Sequence, residues 1–231
     1  MSDNQLTDRK RTLLGLIIEK YVETAEPVGS YVLIRDGEVE LSGATVRNEM
    51  RDLEDDGFLT QPHTSAGRIP TEAGYRYYVE HLMAPDQPTT RIQAEVQALG
   101  RRAATRAERP KAIGRFVADY IDNAVILRLE RDNMYYTGLS HLFAQPEFRD
   151  HAHMVDISSV FDECEERLAA VAEAIADEEP VVLIGRDNPL GYGCGTVAVR
   201  FGRGTLMVIV GPLRMPYARA VGVLDYLRNI L

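Results

Sequence analysis

The sequence predicts an α+β chain in two parts. Three observations carry this. Apolar residues recur at spacings of three and four through most of the first 84 residues. Two short β-prone pieces bracket a proline-stiffened loop, QPHTSAGRIPT, at 61–71. Beyond a proline-flanked break, PDQP at 85–88, β-branched runs alternate with helical segments.

In the first part, Leu6, Leu13, Leu14, Ile17, Ile18, Tyr21 and Val22 place one apolar face on a helix over about 5–23. TAEP (24–27) breaks it, and a short helix follows near 28–35, ended by Asp36-Gly37. Ser42 is a good N-cap for a third helix, in which Val46, Met50 and Leu53 stand at i, i+4 and i+7. Gly57 stops it. Strands near 58–61 and 67–70 flank the loop, and Thr71 caps a helix with Tyr75, Tyr78 or Val79, and Leu82 inward. Three helices followed by a two-stranded hairpin is the order of a winged helix-turn-helix. Residues 1–84 are therefore expected to form a DNA-binding domain of that kind.

In the second part, 85–122 reads as a linker and helical region. Ile113, Phe116, Val117, Tyr120 and Ile121 give its stronger apolar face. Strands are expected at 123–130, 134–137, 180–185, 195–201 and 205–211, the last two joined through Gly202-Arg203-Gly204. One helix is expected over 159–177, with Val160, Cys164, Leu168, Val171 and Ile175 inward, and another from Pro216 to the end. Residues 123–231 thus form an α+β domain, an antiparallel sheet flanked by helices.

A helix that hides Val46, Met50 and Leu53 turns Thr45, Arg47, Asn48 and Arg51 outward. Arginine can grip guanine O6 and N7, and asparagine can pair with adenine N6 and N7. Ser42 and Thr45 sit at the helix N-terminus, where N–H groups favour phosphate. A solvated polar face, with Arg51 and Asp55 paired at i, i+4, is the bland reading of the same residues. The loop tips the balance toward DNA. Pro62 and Pro70 stiffen it, and Gly67 permits a tight turn. His63, Thr64, Ser65 and Arg68 are donors sized for phosphate oxygens or a groove edge.

Composition sets limits on these readings. The chain has 231 residues, 45% hydrophobic and 26% charged, with a net charge of −9. Residues 1–83 hold 9 basic and 15 acidic residues, a balance of −6. The chain is no general polycation, so DNA binding requires positive charge gathered on one face. The acidic residues cluster at 36–40 and 52–56, away from the loop. No apolar run approaches the ~18 residues of a membrane span, and the N-terminus lacks a signal peptide's apolar stretch. Two cysteines are too few for a disulfide framework or a cysteine-built zinc site. A cytoplasmic protein with reduced thiols, no membrane association and no cofactor is expected.

The residues GSYVLIRDGEVELSGATVRNEMRDLEDDGFLTQPHTSAGRIPTEAGYRYYVEHLM resemble the winged-helix module of the heat-inducible transcription repressor family HrcA. The run PHTSAGRIPT followed by GYRYYV is specific to that family. The resemblance resumes in GLSHLFAQPEFRD (138–150) and in 188–227, which is similar to the end of the family's GAF-like domain. It implies a C-terminal GAF-like domain. It also implies a homodimeric repressor on an inverted-repeat operator of double-stranded DNA upstream of chaperone genes, kept active by a GroEL-type chaperonin. By position in the matched motifs, Ser42, Thr45, Arg47, Asn48 and Arg51 are its recognition helix, and His63, Thr64, Ser65 and Arg68 its wing. Family members are about a hundred residues longer. The segment associated with dimerisation and inserted after VILRL (125–129) is absent here.

Other motifs have simpler readings. GYGCG (191–195) lacks the Lys-Ser/Thr of a P-loop and reads as a turn entering a strand. His151 and His153 have no carboxylate or cysteine cluster at ligand spacing, so neither metal nor catalytic residues are expected. Cys164 reads as core; for Cys194, beside glycines, exposure stays open and a redox role is the less favoured reading. A regulator that answers to a small ligand, outside heat shock, is the alternative function, and a non-DNA adaptor is a third.

Overall fold

The computed structural model describes residues 6–64, 66–103, 105, 108–129, 133–175, 179–201 and 204–230. The chain divides into two compact units at Ala84/Pro85.

In the first unit, α1 (Asp8–Thr24) buries Leu13, Leu14, Ile17 and Ile18. It ends where Ala25 takes a left-handed φ of 55° and its N–H caps the Tyr21 carbonyl. α2 (Ser30–Arg35) buries Leu33, and α3 (Gly43–Asp55) buries Val46, Met50 and Leu53, the three positions its spacing singles out. β1 (Leu59–Thr60) pairs antiparallel with β2 (Ile69–Pro70), and α4 (Glu72–His81) follows. Thr71 caps α4 by accepting from the Gly74 N–H, while its own hydroxyl donates to the Gly57 carbonyl. The Phe58 and Tyr77 rings meet at 5.1 Å, so this part of the YRYYV run packs against the hairpin base. A third strand position joins the hairpin, since Val28 and Arg68 exchange two backbone hydrogen bonds of 2.9 Å. The unit is a winged helix-turn-helix.

The second unit opens with α5 (Thr90–Arg102) and α6 (Glu108–Ile121). The segment expected as a linker and helical region therefore packs within this unit. Its sheet, among the described residues, has five antiparallel strands in the order β4-β3-β7-β6-β5. These are β3 (Ala124–Arg128), β4 (Met134–Thr137), β5 (Val181–Ile184), β6 (Cys194–Phe201) and β7 (Thr205–Pro212). Residues 202 and 203 of the expected β6–β7 hairpin turn lie outside the described residues. Ala124, Ile126, Ala198, Val208 and Val210 share one face with a helical layer. That layer is α7 (Leu139–Ala144), α8 (His151–Asp162) and α9 (Cys164–Ala174). α6 and α10 (Tyr217–Arg228) cover the other face, with Gly114 seated on Leu127 and Val125. Helices on both faces explain why the inner strands β3, β6 and β7 are buried along nearly their whole length instead of alternating. This is the GAF-like arrangement.

One expectation is corrected and one left open is settled. The single helix expected over 159–177, of which residues 176 and 177 lie outside the described residues, is two helices. Asp150 starts one early, its carboxylate accepting from the Ala152 and His153 N–H groups. Glu163 then interrupts it and pairs with Arg167 in the first turn of the next. Cys194 is not exposed. Its side chain joins the core, 6% accessible, and burial pushes the thiol up to about 12. Cys164 is core as expected, its thiol pushed up to about 11 by burial. The adjoining NPLGYGCG motif is structural. The buried Asn188 amide donates to the Cys194 carbonyl, shares a hydrogen bond with the Thr196 hydroxyl, and accepts from the Leu190 N–H.

The motif GLSHLFAQPEF serves the same domain. The His141 ring nitrogens lie 2.8 Å from Asp122 and 2.9 Å from Asp119, at the end of α6. Gln145 donates to the Asp122 carbonyl and carboxylate, and Arg214 binds Glu147 and Gln145. Asp119, then Asp122, raises the His141 pKa above its ordinary value. Only the doubly protonated ring donates to both carboxylates. Its contribution to stability is therefore complete below about pH 6.5, the unfolded value, and is lost as pH rises through the raised folded value. Thermal melts across neutral to mildly alkaline pH should show this decline, and His141→Gln should flatten it. Identical pH profiles for the two proteins would remove the assignment.

Candidate nucleic-acid interface

α3 owes its start to Ser42, whose hydroxyl accepts from the Thr45 N–H at 3.2 Å and lies 2.9 Å from the Thr45 hydroxyl. Its first turn carries no acidic residue, so the positive end of the helix is unopposed locally. With Val46, Met50 and Leu53 buried, Arg47, Asn48 and Arg51 stand on the solvent face, all three exposed. Among the described residues none of these three side chains has a hydrogen-bond or ion-pair partner. Arg51 and Asp55 do not pair. Arg47 runs back along the helix, its Nη1 3.4 Å from where a Cβ on Gly43 would lie.

The acidic residues of α3 and its C-cap are turned aside and matched. Glu49 meets Arg9 of α1 at 2.8 Å. Lys10 sits 3.5 Å from Asp52 and 3.1 Å from Asp56, and the Asp56 hydrogen bond leads the causes that raise its pKa. Glu54, on the opposite flank, meets Arg68 at 2.8 Å. Asp55 alone among them stays unmatched, at the helix end remote from Ser42. Of the other acidic cluster, Asp36 is held by Lys20 and Arg35, while Glu38 and Glu40 are exposed. The geometry thus separates charge within an acidic unit, which composition cannot reveal.

The wing is braced from inside. Gln61 donates through one amide nitrogen to the Thr64 carbonyl at 3.0 Å and the Ala66 carbonyl at 2.8 Å. The Ala66 N–H closes a turn onto the His63 carbonyl. His63 and Thr64 are exposed at the tip. Ser65 lies outside the described residues. Arg68 is not at the tip: its guanidinium is committed to Glu54 and its side chain is only 18% exposed. The structure therefore brings Ser42, Thr45, Arg47, Asn48 and Arg51 onto one helix, with His63 and Thr64 on a neighbouring loop, and sets Arg68 between them as a brace. Sequence reasoning missed Gln61, Glu54 and Val28. The first lies within the quoted loop and is an amide able to bridge carbonyls; the other two act through contacts distant in sequence.

The family model "HrcA protein C terminal domain" matches residues 86–221. A heat-inducible transcription repressor HrcA of Desulforudis audaxviator is 29% identical over 334 aligned positions, covering 97% of each chain. Because this chain has 231 residues, about a hundred of those 334 positions have no counterpart in it. The HrcA repressor of Acetivibrio thermocellus is 57% identical over 84 residues, which are 36% of this chain and 24% of that protein. A crystal structure of a hypothetical protein superposes with a TM-score of 0.73 at 17% identity, covering 97% of both chains, a likeness of fold. With the family model spanning more than half of its residues, the chain belongs to the HrcA family of heat-inducible transcription repressors.

Proposed function

We propose that the protein is a repressor that reads a specific DNA sequence through α3 and grips the flanking backbone through its wing. The observation that carries this is the face of Arg47, Asn48 and Arg51, exposed and unpaired while most neighbouring acids are matched elsewhere. Arg47 and Asn48 read base edges. Ser42, Thr45 and Arg51 position the helix, and His63, Thr64 and Ser65 contact phosphate or a groove edge. The protein acts as a homodimer on an inverted repeat, because a two-fold pair of recognition helices meets equivalent half-sites. Its targets are heat-inducible genes, in line with the names of its relatives, chaperone genes among them, and a GroEL-type chaperonin supports its active state. The reading assigns it no catalytic role and places it in the cytoplasm. No helix among the described residues is long and apolar enough to cross a membrane.

In-vitro selection of bound DNA by the purified protein tests this. Enrichment of an inverted repeat found upstream of chaperone genes is the expected result. Enrichment of no sequence would overturn it.

Arg68 has a separate test. As a brace tied to Glu54, it is not a free cation for phosphate. Arg68→Ala should weaken binding to any duplex while changing the salt slope by well under one unit. A fall of about 0.9, the slope per phosphate neutralised, would make it a direct phosphate contact.

A further inference from the structure

We propose that Tyr31 of α2 is a DNA-backbone contact, its hydroxyl donating to a phosphate oxygen beside the groove that α3 enters. This rests on the DNA-binding reading above and adds a residue to it.

Tyr31 is 71% accessible, the most exposed of the large hydrophobic side chains among the described residues. Its place in the fold gives that exposure meaning. Ile34, one turn further along the same side of α2, reaches α3: its Cδ1 lies 3.5 Å from where a Cβ on Gly43 would stand, next to Arg47 Nη1 at 3.4 Å. Three residues before Tyr31, Val28 is hydrogen-bonded through both backbone groups to Arg68 at the wing base. Tyr31 is therefore flanked by the recognition helix through Ile34 and by the wing through Val28. In a helix-turn-helix the first helix of the pair crosses the DNA backbone while the second enters the groove.

The chemistry on that side suits a phosphate. The Arg35 guanidinium lies 5.9 Å from the Tyr31 ring centre, one turn away on the same face. Arg35 Nε holds Asp36 at 2.8 Å, and its two Nη groups face no acceptor among the described residues. A phenol O–H is a directed donor, and the Nη groups of Arg35 beside it leave further N–H donors for an anion although Asp36 balances the charge. A neutral donor of this kind adds affinity without sequence information, and without releasing counterions.

The test is binding of wild type, Tyr31→Phe and Tyr31→Ala to the selected operator and to a scrambled duplex, at several salt concentrations. Tyr31→Phe should weaken both duplexes by the same factor, about tenfold for a hydrogen bond to a charged group, with the salt slope unchanged. Tyr31→Ala should lose at least as much. The proposal is overturned if Tyr31→Phe binds both duplexes within about twofold of wild type, whatever Tyr31→Ala does. It is also overturned if the loss is confined to the operator, which would make Tyr31 a base reader. A wild type that prefers no sequence would instead defeat the parent reading, so the two failures are distinguishable.

Discussion

Asn48→Ala and Arg47→Ala should each lower affinity for the operator by roughly 5- to 150-fold, the worth of about 1–3 kcal/mol per bidentate base contact. The same variants should bind a scrambled duplex within a few-fold of wild type. The asymmetry follows from position. Both side chains are exposed on the first two turns of α3, opposite Val46, Met50 and Leu53, and neither supports the fold through a hydrogen bond or ion pair. Removing either should leave thermal stability within about 0.5 kcal/mol, as for other surface substitutions. Arg47→Ala also removes a charge, so it should cost somewhat more on scrambled DNA than Asn48→Ala does. Equilibrium binding to both duplexes at one fixed salt concentration checks this. Equal losses on the two would mean that α3 positions the protein without reading it.

Much of this site is legible in the sequence. The stripe of Val46, Met50 and Leu53 declares the buried side of α3, and a helix with one buried side has only one place for Arg47, Asn48 and Arg51. Ser42 marks the start because its hydroxyl satisfies a local N–H, an interaction confined to neighbours in sequence. The strands from 124 to 212 were legible for a related reason: a sheet covered on both faces writes long apolar runs. What stayed hidden depends on partners distant in the chain. Arg68 looks like a free wing cation until Glu54, fourteen positions earlier, is folded against it. Lys10 and Arg9 look like ordinary helix charges until they neutralise one flank of α3. Cys194 looks open among glycines because only the completed β6 carries its side chain into the core. The interruption at Glu163 was missed because the apolar spacing of 160, 164, 168 and 171 runs through it unbroken.

Gly67→Ala should destabilise the winged-helix unit by about 2–4 kcal/mol, combining overpacking with the loss of hydrogen bonds. A Cβ at residue 67 would lie 2.4 Å from the Val28 carbonyl carbon, 2.5 Å from its oxygen and 2.7 Å from the Pro27 carbonyl carbon. These are backbone atoms, so no rotamer change relieves the clash. The two chains must separate, and the paired 2.9 Å bonds between Val28 and Arg68 go with them. The wing then loses its anchor to the segment leading into α2, and Arg68 loses its alignment with Glu54. Binding to operator and scrambled DNA should weaken together, since the defect is in how the wing is held and not in base reading. Gly29→Ala is the matched control, because a Cβ there meets nothing within 4 Å and the backbone is ordinarily extended, at φ −92° and ψ 151°. Amide hydrogen exchange at Val28 and Arg68 reads the difference directly. Protection at both sites should collapse in Gly67→Ala and persist in Gly29→Ala. If the two variants exchange alike and bind DNA alike, close approach of these strands is not what holds the wing against α2.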